Sequence, residues 1–285
     1  NGMLSIAAVK GLQGSDNGKV EKNNVAATLK HLVGHGESEG GLNQGPANYS
    51  TRVLRDYHMP PFKMCIDHAK PVSVMPSYNE VDGVPSHANR WLLQDVLRGE
   101  WGYKGMIVSD YYGVDHLFNK HFVCADAVDA AATAFNSGVQ YEFPQANMYR
   151  ILPELVRKRK VKKEDVDRAV EQALAFKFSL GLFENPYVDE KQAISVSKSL
   201  MHRQTALKAA HESIVLLKNE GLLPLKKGKY KKIAVIGPCA KDVWFGGYSG
   251  EPYEKVSLLE GIRAKAGNGT EVLFAQGCRL TINTT

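Results

Sequence analysis

Residues 105–110 read Gly-Met-Ile-Val-Ser-Asp, a short apolar run that ends in a carboxylate. Three further runs have the same form and also end in polar side chains, at 25–33, 71–79 and 138–144. Short apolar runs of this kind are typical of parallel strands that are covered on both faces. The four runs therefore predict strands of one parallel sheet.

Segments with helical periodicity lie between and after these runs. Helices are predicted over 89–100, 126–137 and 163–180, and a glycine follows each of the last two. Alternating strands and helices indicate a parallel α/β architecture. Only about four strands are visible before residue 150, which is too few for a complete eight-stranded barrel.

A second α/β segment begins after a break in this rhythm. Residues 184–200 contain Pro186 and many polar side chains, which is typical of a linker. The elements predicted beyond it are a helix over about 201–218, a strand over 231–238, a helix over 256–266 and a strand over 271–275. We therefore predict a first domain over 1–183, a linker over 184–204 and an incomplete second domain over 205–285.

The composition argues against several classes of function. The net charge of +6 is mild for 285 residues, and the basic runs at 157–163 and 226–232 contain only one aromatic side chain, Tyr230, so no nucleic-acid partner is expected. No apolar stretch of about 18 residues predicts a membrane span. The four cysteines form no Cys-x-x-Cys pair, and we expect neither a metal nor an organic cofactor.

Polar side chains lie where the predicted strands end, which is the face that carries the catalytic groups of barrel enzymes. They are Lys30 and His31 in the first run, Tyr78 and Asn79 in the second, Asp110 in the third and Glu142 in the fourth. A carboxylate directly after Met-Ile-Val-Ser is costly to bury without hydrogen bonds or a cation. Asp110 could be an ionised nucleophile beside Lys30, a cap of the next helix or half of a structural ion pair. The spacing alone leaves these readings open.

Six ordered motifs, spread over about residues 5–280, resemble glycoside hydrolase family 3. They are 25–36 around Lys30-His31, 74–85 around Tyr78-Asn79, 101–110 ending in Asp110, 176–186, 212–225 and 233–238. The resemblance implies an α/β fold in which this chain holds the C-terminal part of a (β/α)8-type barrel. It also implies that the start of an α/β sandwich domain follows the barrel.

The resemblance further implies a retaining mechanism on Asp110. Asp110 would attack the anomeric carbon and form a covalent glycosyl-enzyme, while a separate carboxylic acid protonates the leaving group and then activates water. Lys30, His31 and Tyr78 would contact the terminal sugar, and Met75 would pack beside the sugar or in the core. In the multi-domain branch the acid/base lies in the second domain, so the chain is expected to need the remainder of its own polypeptide and to be inactive alone.

The loops favour one branch of this family. Residues 38–43 and 246–250 resemble β-glucosidases and β-xylosidases, so the expected substrate is an oligosaccharide or other β-glycoside, from which terminal glucose or xylose is removed in an exo fashion. The branch that hydrolyses N-acetylglucosaminides carries Asp-x-His on the loop after Lys-His, and residues 37–43 contain no such pattern. A β-N-acetylglucosaminidase and a catalytically lapsed carbohydrate-binding homologue stay as alternatives. Enzymes that resemble this chain are often periplasmic or secreted, and we expect the same location.

Overall fold

The computed structural model describes residues 1–252 and 254–280. The Cα positions divide into two compact units, Asn1–Val188 and the described residues from Asp189 to Leu280. Each unit mixes helices with parallel strands, as the alternating sequence pattern predicts.

Parallel strands form the centre of the first unit. The strands of this unit are β1 Thr28–Leu32, β2 Pro46–Ala47, β3 Ser73–Pro76, β4 Glu80–Val81, β5 Val84–Pro85 and β6 Met106–Ile107. The sheet β1-β3-β6 is parallel throughout, with Thr28 opposite Ser73 and Ser73 opposite Met106. A smaller sheet has the order β2-β4-β5. Three of the four predicted apolar runs thus contain the strands of the main sheet.

The fourth run, 138–144, differs from its prediction as a strand. It contributes an isolated parallel bridge between Tyr141 and Val108. Beyond the bridge, the Ser109 hydroxyl accepts the N–H of Phe143 at 2.8 Å, and Pro144 has no N–H to offer. A side chain therefore takes the place of a ladder bond where the predicted strand would continue.

Helices follow and cover the strands of the first unit. They are α1 Gly2–Gln13, α2 Thr51–Val53, α3 Pro60–Ala69, α4 His116–Asn119, α5 Ala127–Ser137, α6 Leu152–Arg157 and α7 Lys163–Ser179, together with π-helices at Leu54–His58 and Trp91–Glu100. The helix predicted over 89–100 is thus a π-helix. It nevertheless buries Leu92, Leu93, Val96 and Leu97, which are the side chains that the periodicity places on one face.

The core of the first unit lies between the sheet and these helices. Fully buried Leu32, Val74 and Ile107 come from the three central strands. Alanines of α5 pack into the same cluster, where their small side chains let the helix approach closely. A smaller cluster joins Ile6 of α1 to Ala69 of α3. The carboxyl ends of the central strands are therefore held by packing on both sides.

The second unit contains a pair of parallel strands and a capped helix. Its elements are α8 Glu190–Ser197, α9 Leu200–Ser213, β7 Lys232–Ile236, α10 Leu258–Ala266 and β8 Glu271–Ala275. Strands β7 and β8 pair in register from Lys232–Glu271 to Ile236–Ala275. A capping box of Ser257 and Glu260 begins α10.

Helix α8 lies within the residues that the sequence predicts as a linker. The Asp189 side chain accepts the N–H groups of Lys191 and Gln192 and so begins this helix, and the Ser199 hydroxyl begins α9 in the same way. Helix α9 ends at Ser213, short of the predicted residue 218. The boundaries at 183 and 204 stay predictions. Among the helices in the described ranges, none is long and apolar enough to cross a membrane.

Candidate active site

Asp110 lies just beyond β6, at the carboxyl end of the parallel sheet. It is 5 % exposed. One carboxylate oxygen, Oδ1, accepts the backbone N–H of Tyr111 at 2.8 Å. The other, Oδ2, lies 3.3 Å from Nε2 of His31. A nearly buried carboxylate with these neighbours has the chemistry of a nucleophile in a site that excludes most water.

His31 comes from β1 and faces this carboxylate. Burial lowers the pKa of His31, the Asp110 charge raises it, and Lys30 and His35 lower it. The net direction is downward, so the imidazole is neutral at pH 7. The lowered pKa favours the neutral form of the ring that faces the Asp110 carboxylate.

The rings of His31 and His35 also contact each other, with centroids 4.5 Å apart. His35 belongs to a short 3-10 turn, His35–Glu37, directly after β1. Its buried Nδ1 has no hydrogen-bond partner among the residues that the structure describes. His35 thus borders the site as a second ring beside His31.

Tyr78 reaches the same site through the turn that follows Asp110. Its hydroxyl donates to the carbonyl of Tyr111 at 2.6 Å. Its own carbonyl lies 3.0 Å from Nε2 of His121, and its ring lies 5.2 Å from that of His116. The structure therefore brings the predicted residues Tyr78, His31 and Asp110 together, and it joins Tyr78 to Asp110 by way of Tyr111.

Lys30 and Met75 lie opposite each other on neighbouring strands. They are register partners in the β1-β3 pair. Lys30 is exposed, and Met75 is partly buried. Their roles beside a sugar stay predictions.

Asn79 and Glu142, the other polar residues at strand ends, are engaged by the backbone. Asn79 is buried and donates to the carbonyl of Val33 at 3.1 Å. The Glu142 carboxylate accepts the N–H groups of Met148 and Tyr149. Burial raises the pKa of Glu142, and these backbone hydrogen bonds lower it. Both side chains therefore have the geometry of structural residues.

His87 is a functional candidate that the sequence does not reveal. Its Nε2 accepts the backbone N–H of Asp110 at 3.0 Å. Burial lowers its pKa to about 4, although Asp110 and a hydrogen bond with the Ser77 backbone raise it. The available signal was one histidine in Ser86–Ala88, directly before the predicted helix, and that pattern does not point to Asp110.

Two aromatic side chains, also missed, follow the carboxylate directly. Tyr111 is 53 % exposed and Tyr112 is 45 % exposed. Tyr112 has a φ of 59°, which turns the chain sharply after the strand. The signal was visible in the sequence as adjacent aromatic residues in a turn beside a buried carboxylate. They offer aromatic surface at the edge of the site.

The clustered histidines raise the question of a metal. In the parts of the chain that the structure describes, no group of three or more His, Cys, Asp or Glu side chains is arranged to hold a metal ion. The described contacts of His31 and His87 are instead with Asp110 itself. The arrangement is that of a carboxylate supported by neutral imidazoles.

Comparisons with known proteins match both units. A family model described as "Glycosyl hydrolase family 3 N terminal domain" matches residues 2–176. A second, "Glycosyl hydrolase family 3 C-terminal domain", matches residues 214–282. A solved structure of a β-glucosidase from Erythrobacter marinus superposes with a TM-score of 0.91 at 40 % identity, over 98 % of this chain and 37 % of that one.

Curated relatives agree with these matches. A "Beta-xylosidase" of Formosa agariphila is 36 % identical over 96 % of this chain and 40 % of its own length. A "Periplasmic beta-glucosidase" of Salmonella typhimurium is 36 % identical over 98 % of this chain and 37 % of its own length. The chain thus spans 40 % or less of the length of these relatives.

Proposed function

The chain belongs to glycosyl hydrolase family 3, and from this premise we propose that it forms part of an exo-acting, retaining β-glycosidase whose nucleophile is Asp110. The observation that carries the proposal is the Asp110 carboxylate, 5 % exposed at the carboxyl end of the parallel sheet. Its Oδ2 faces a neutral imidazole at 3.3 Å. Such a carboxylate is largely withdrawn from water, which makes an ionised carboxylate a better nucleophile.

In the first step, an oxygen of Asp110 forms a bond to the anomeric carbon of the terminal sugar. The bond from that carbon to the aglycone oxygen breaks, and a carboxylic acid gives its proton to the departing oxygen. In the second step, water replaces Asp110 at the same carbon and gives its proton back to that group. Two inversions yield net retention. We assign the acid/base role to no residue of the chain.

The neighbouring side chains would bind the sugar. The lowered pKa of His31 favours the neutral ring. With its one N–H on Nε2, facing Oδ2 at 3.3 Å, Nδ1 is left to accept a hydrogen bond from a sugar hydroxyl. Lys30 would add a charged donor from the same strand, and Met75 would pack against the sugar beside it. Tyr78 would act next to Asp110, and the exposed faces of Tyr111 and Tyr112 are suited to pack against the aglycone.

We also propose the finer architecture that the family implies. The parallel sheet β1-β3-β6 would be part of a (β/α)8-type barrel over residues 1–183, because each of its strands is followed by helix. Residues 184–204 would be the connection, and residues 205–285 the start of an α/β sandwich. A periplasmic or secreted location is proposed from the kinds of relatives the chain has, one of which is named a periplasmic enzyme.

Covalent labelling tests the nucleophile directly. The full-length protein would be incubated with a 2-deoxy-2-fluoro-β-glucoside and the matching xyloside, each with a good leaving group. The 2-fluorine destabilises the oxocarbenium-like transition states, so the glycosyl-enzyme accumulates. We expect mass spectrometry to find the label on Asp110.

A matched pair of Asp→Asn variants controls this experiment. Asp110→Asn should take up no label. Asp115→Asn should still be labelled. Burial raises the pKa of the Asp115 carboxyl group, and its Oδ2 has no hydrogen-bond partner among the described residues. We therefore do not expect Asp115 to be the ionised nucleophile. Label on another residue would remove Asp110 from the role. Neither label nor hydrolysis of any aryl glycoside would favour the lapsed carbohydrate-binding homologue.

Substrate choice is tested by rates on aryl β-glucoside, β-xyloside and β-N-acetylglucosaminide, each with and without phosphate. We expect the first two to be hydrolysed without need of phosphate. A dominant rate on the N-acetylglucosaminide would favour the alternative branch of the family. The loop at residues 37–43 argues against that outcome because it lacks Asp-x-His. Its Glu37 accepts the hydroxyl of Tyr49 instead.

A further inference from the structure

The hydrogen-bond ladder between β3 and β6 changes partner at Asp110. Val108 donates its N–H to the carbonyl of Val74 at 3.0 Å. In a parallel pair the bonds are evenly spaced, so the next one would join the Asp110 N–H to Pro76 on β3. Instead, the Asp110 N–H donates to Nε2 of His87 at 3.0 Å.

Strand β3 keeps its pairing with its other neighbour, β1, at this level. Ser77 donates its N–H to the carbonyl of Leu32 in β1 at 2.7 Å. Strands β3 and β6 therefore separate at their carboxyl ends, and the His87 side chain occupies the gap. A side chain has replaced one bond of the ladder.

The imidazole of His87 contacts both separated strands. Because Nε2 accepts the Asp110 N–H, the single proton of the neutral ring is on Nδ1. The ring also hydrogen-bonds the Ser77 backbone in the direction that raises its pKa, as donation from Nδ1 to the carbonyl would. The ring is 2 % exposed. It thus spans from Ser77, directly after β3, to Asp110, three residues after β6.

The surroundings of His87 fix the position of the ring. A Cβ at Gly113 would lie 2.3 Å from Nε2, so the glycine leaves the space that the imidazole occupies. The Tyr78 ring stacks on the other side, with centroids 6.3 Å apart and planes 25° apart. The turn that carries His87 is held by the Ser86 hydroxyl, which donates to the carbonyl of Asn79 at 2.9 Å.

We propose that His87 is a positioning residue that holds the backbone of Asp110 where β3 and β6 separate. This inference rests on the proposed function of Asp110. The imidazole fills the place of the missing ladder bond and keeps the residue that carries the carboxylate in position. His87 acts through Asp110, because its polar atoms are used by Ser77 and the Asp110 N–H and none is left for a sugar.

A pair of amide variants tests this role. In His87→Gln the amide oxygen can reach the position of Nε2 and accept the Asp110 N–H. In His87→Asn, with the same amide on a side chain one methylene shorter, the amide reaches only the level of Nδ1. Both replace an imidazole by a buried amide, so a merely structural role predicts similar behaviour of the two.

The first measurement is the rate at which a 2-fluoro glycoside labels Asp110 in the full-length protein. We expect His87→Gln to stay within about threefold of the wild type and His87→Asn to fall by about 10- to 100-fold, as misplacement of a reacting group does. The dissociation constant of a neutral sugar inhibitor should change little in both, because His87 does not touch the sugar. Equal labelling rates in the two variants would overturn the proposal.

The second measurement does not depend on activity. Hydrogen exchange of the Asp110 amide should be protected in the wild type and in His87→Gln, and faster by about tenfold or more in His87→Asn. If the wild type takes no label on Asp110, the proposed function fails, while the exchange rates still decide whether His87 holds this amide. Equal protection in both variants would refute the positioning role.

A glycine pair covers the case in which His87→Asn fails to fold. Gly113→Ala keeps the imidazole but places a Cβ against it, and it should slow labelling and speed exchange at Asp110. Gly11→Ala adds the same methyl group to α1, where a Cβ would have nothing within 4 Å, and should leave both rates unchanged. Unchanged rates in Gly113→Ala would contradict the proposal.

Discussion

The two ends of the β1-β3-β6 sheet are held by different side chains. At the amino end, the charged side chain of Arg98 joins the connecting segments. At the carboxyl end, the neutral side chain of His87 joins them. Arg98 donates to the carbonyls of Tyr103 and Gly105, at 2.8 and 2.6 Å, and to Oε1 of Gln140 at 2.6 Å. Its plane also lies over the Tyr103 ring, 5.3 Å from the centroid. His87 instead accepts an N–H from the residue that carries the proposed chemistry.

The two ends therefore differ in what their polar groups are free to do. At the amino end, the N–H donors of Arg98 bind oxygens of the protein itself. Burial lowers the pKa of Arg98, but the ordinary pKa of a guanidinium is so high that the group stays charged. At the carboxyl end, the nearly buried Asp110 carboxylate has Oδ2 3.3 Å from His31 and is placed to react. An end whose polar groups meet only the protein contributes to stability, and an end that holds a buried carboxylate for chemistry contributes to function. Changes at the two ends should thus separate stability from activity.

The largest effect is expected at Asp110. In the full-length protein, Asp110→Ala should lower kcat on aryl β-glycosides by about 10⁴-fold or more, as loss of a nucleophile does in other enzymes. The melting temperature should stay equal or rise, because a nearly buried carboxylate, which is costly to remove from water, is replaced by an apolar side chain. Steady-state kinetics and thermal unfolding measure the two effects.

Azide supplies the control for this variant. It can enter the space that the carboxylate leaves and attack the anomeric carbon as the aglycone departs. The product should be a glycosyl azide of inverted configuration, and its formation should restore part of the rate. A variant that keeps wild-type activity, or one that loses stability in parallel with activity, would contradict the contrast between the two ends.

Arg98→Met tests the opposite end. The apolar replacement leaves the oxygens of Tyr103, Gly105 and Gln140 without their donors, which should lower the free energy of unfolding by about 2–3 kcal/mol. Activity per folded molecule should remain near the wild-type value. Denaturant unfolding and active-site titration separate the two quantities.

Arg55→Met is the matched control for this change. Arg55 forms a two-pronged pair with Glu100 at the surface, where solvent screens the interaction. It should lower the melting temperature by clearly less than Arg98→Met does. A similar loss in both variants would mean that the network around Arg98 is not a special source of stability.

Much of the carboxyl end could be predicted from the sequence. Apolar runs locate the strands because both faces of a parallel strand are buried, and Asp110 is visible because a carboxylate ends such a run. The same logic does not distinguish Asp110 from Glu142, which also ends an apolar run. Glu142 is satisfied by the N–H groups of Met148 and Tyr149, and those donors belong to a turn that the periodicity does not specify.

The roles of His87 and Arg98 could not be predicted from the sequence, for the same reason. Each depends on the place where two strands separate or begin, which is set by the register of the sheet and the path of its loops. A one-residue shift in register would move every partner to the other face. Hydrophobic periodicity reports which face of an element is buried, and it contains no information about side chains that replace ladder bonds.

The pH dependence of stability tests the carboxyl end of the sheet through His87. Its pKa is about 4 in the folded protein, against 6.5 for the ordinary value, so between these values the unfolded chain binds more protons. Stability is then highest above pH 6.5 and falls as the pH decreases. Between pH 7 and about pH 5.5, His87 should account for a loss of about 1.2 kcal/mol.

His87→Gln should remove this part of the pH dependence, which unfolding at both pH values would measure. Asp110, His116 and His121 face His87 and influence its pKa, but they are present in both proteins. His68→Gln, at an exposed histidine of α3, should retain the pH dependence of the wild type. Identical pH dependence in His87→Gln would mean that His87 is not held neutral by burial.

The smallest effect is expected for Tyr78→Phe, which keeps the ring and removes one hydroxyl. That hydroxyl donates to the carbonyl of Tyr111 at 2.6 Å, a bond worth about 1 kcal/mol. Because the Tyr111 carbonyl belongs to the turn after Asp110, kcat should fall by up to about tenfold with little change in KM. The matched change Tyr57→Phe, at a tyrosine 74 % exposed, should alter neither quantity.

A large rise in KM with constant kcat would instead identify the Tyr78 hydroxyl as a contact of the sugar, because binding that is equal in the ground state and the transition state is then lost. Tyr78 would in that case bind substrate, as the sequence resemblance predicts, and the hydrogen bond to Tyr111 would be secondary to that role.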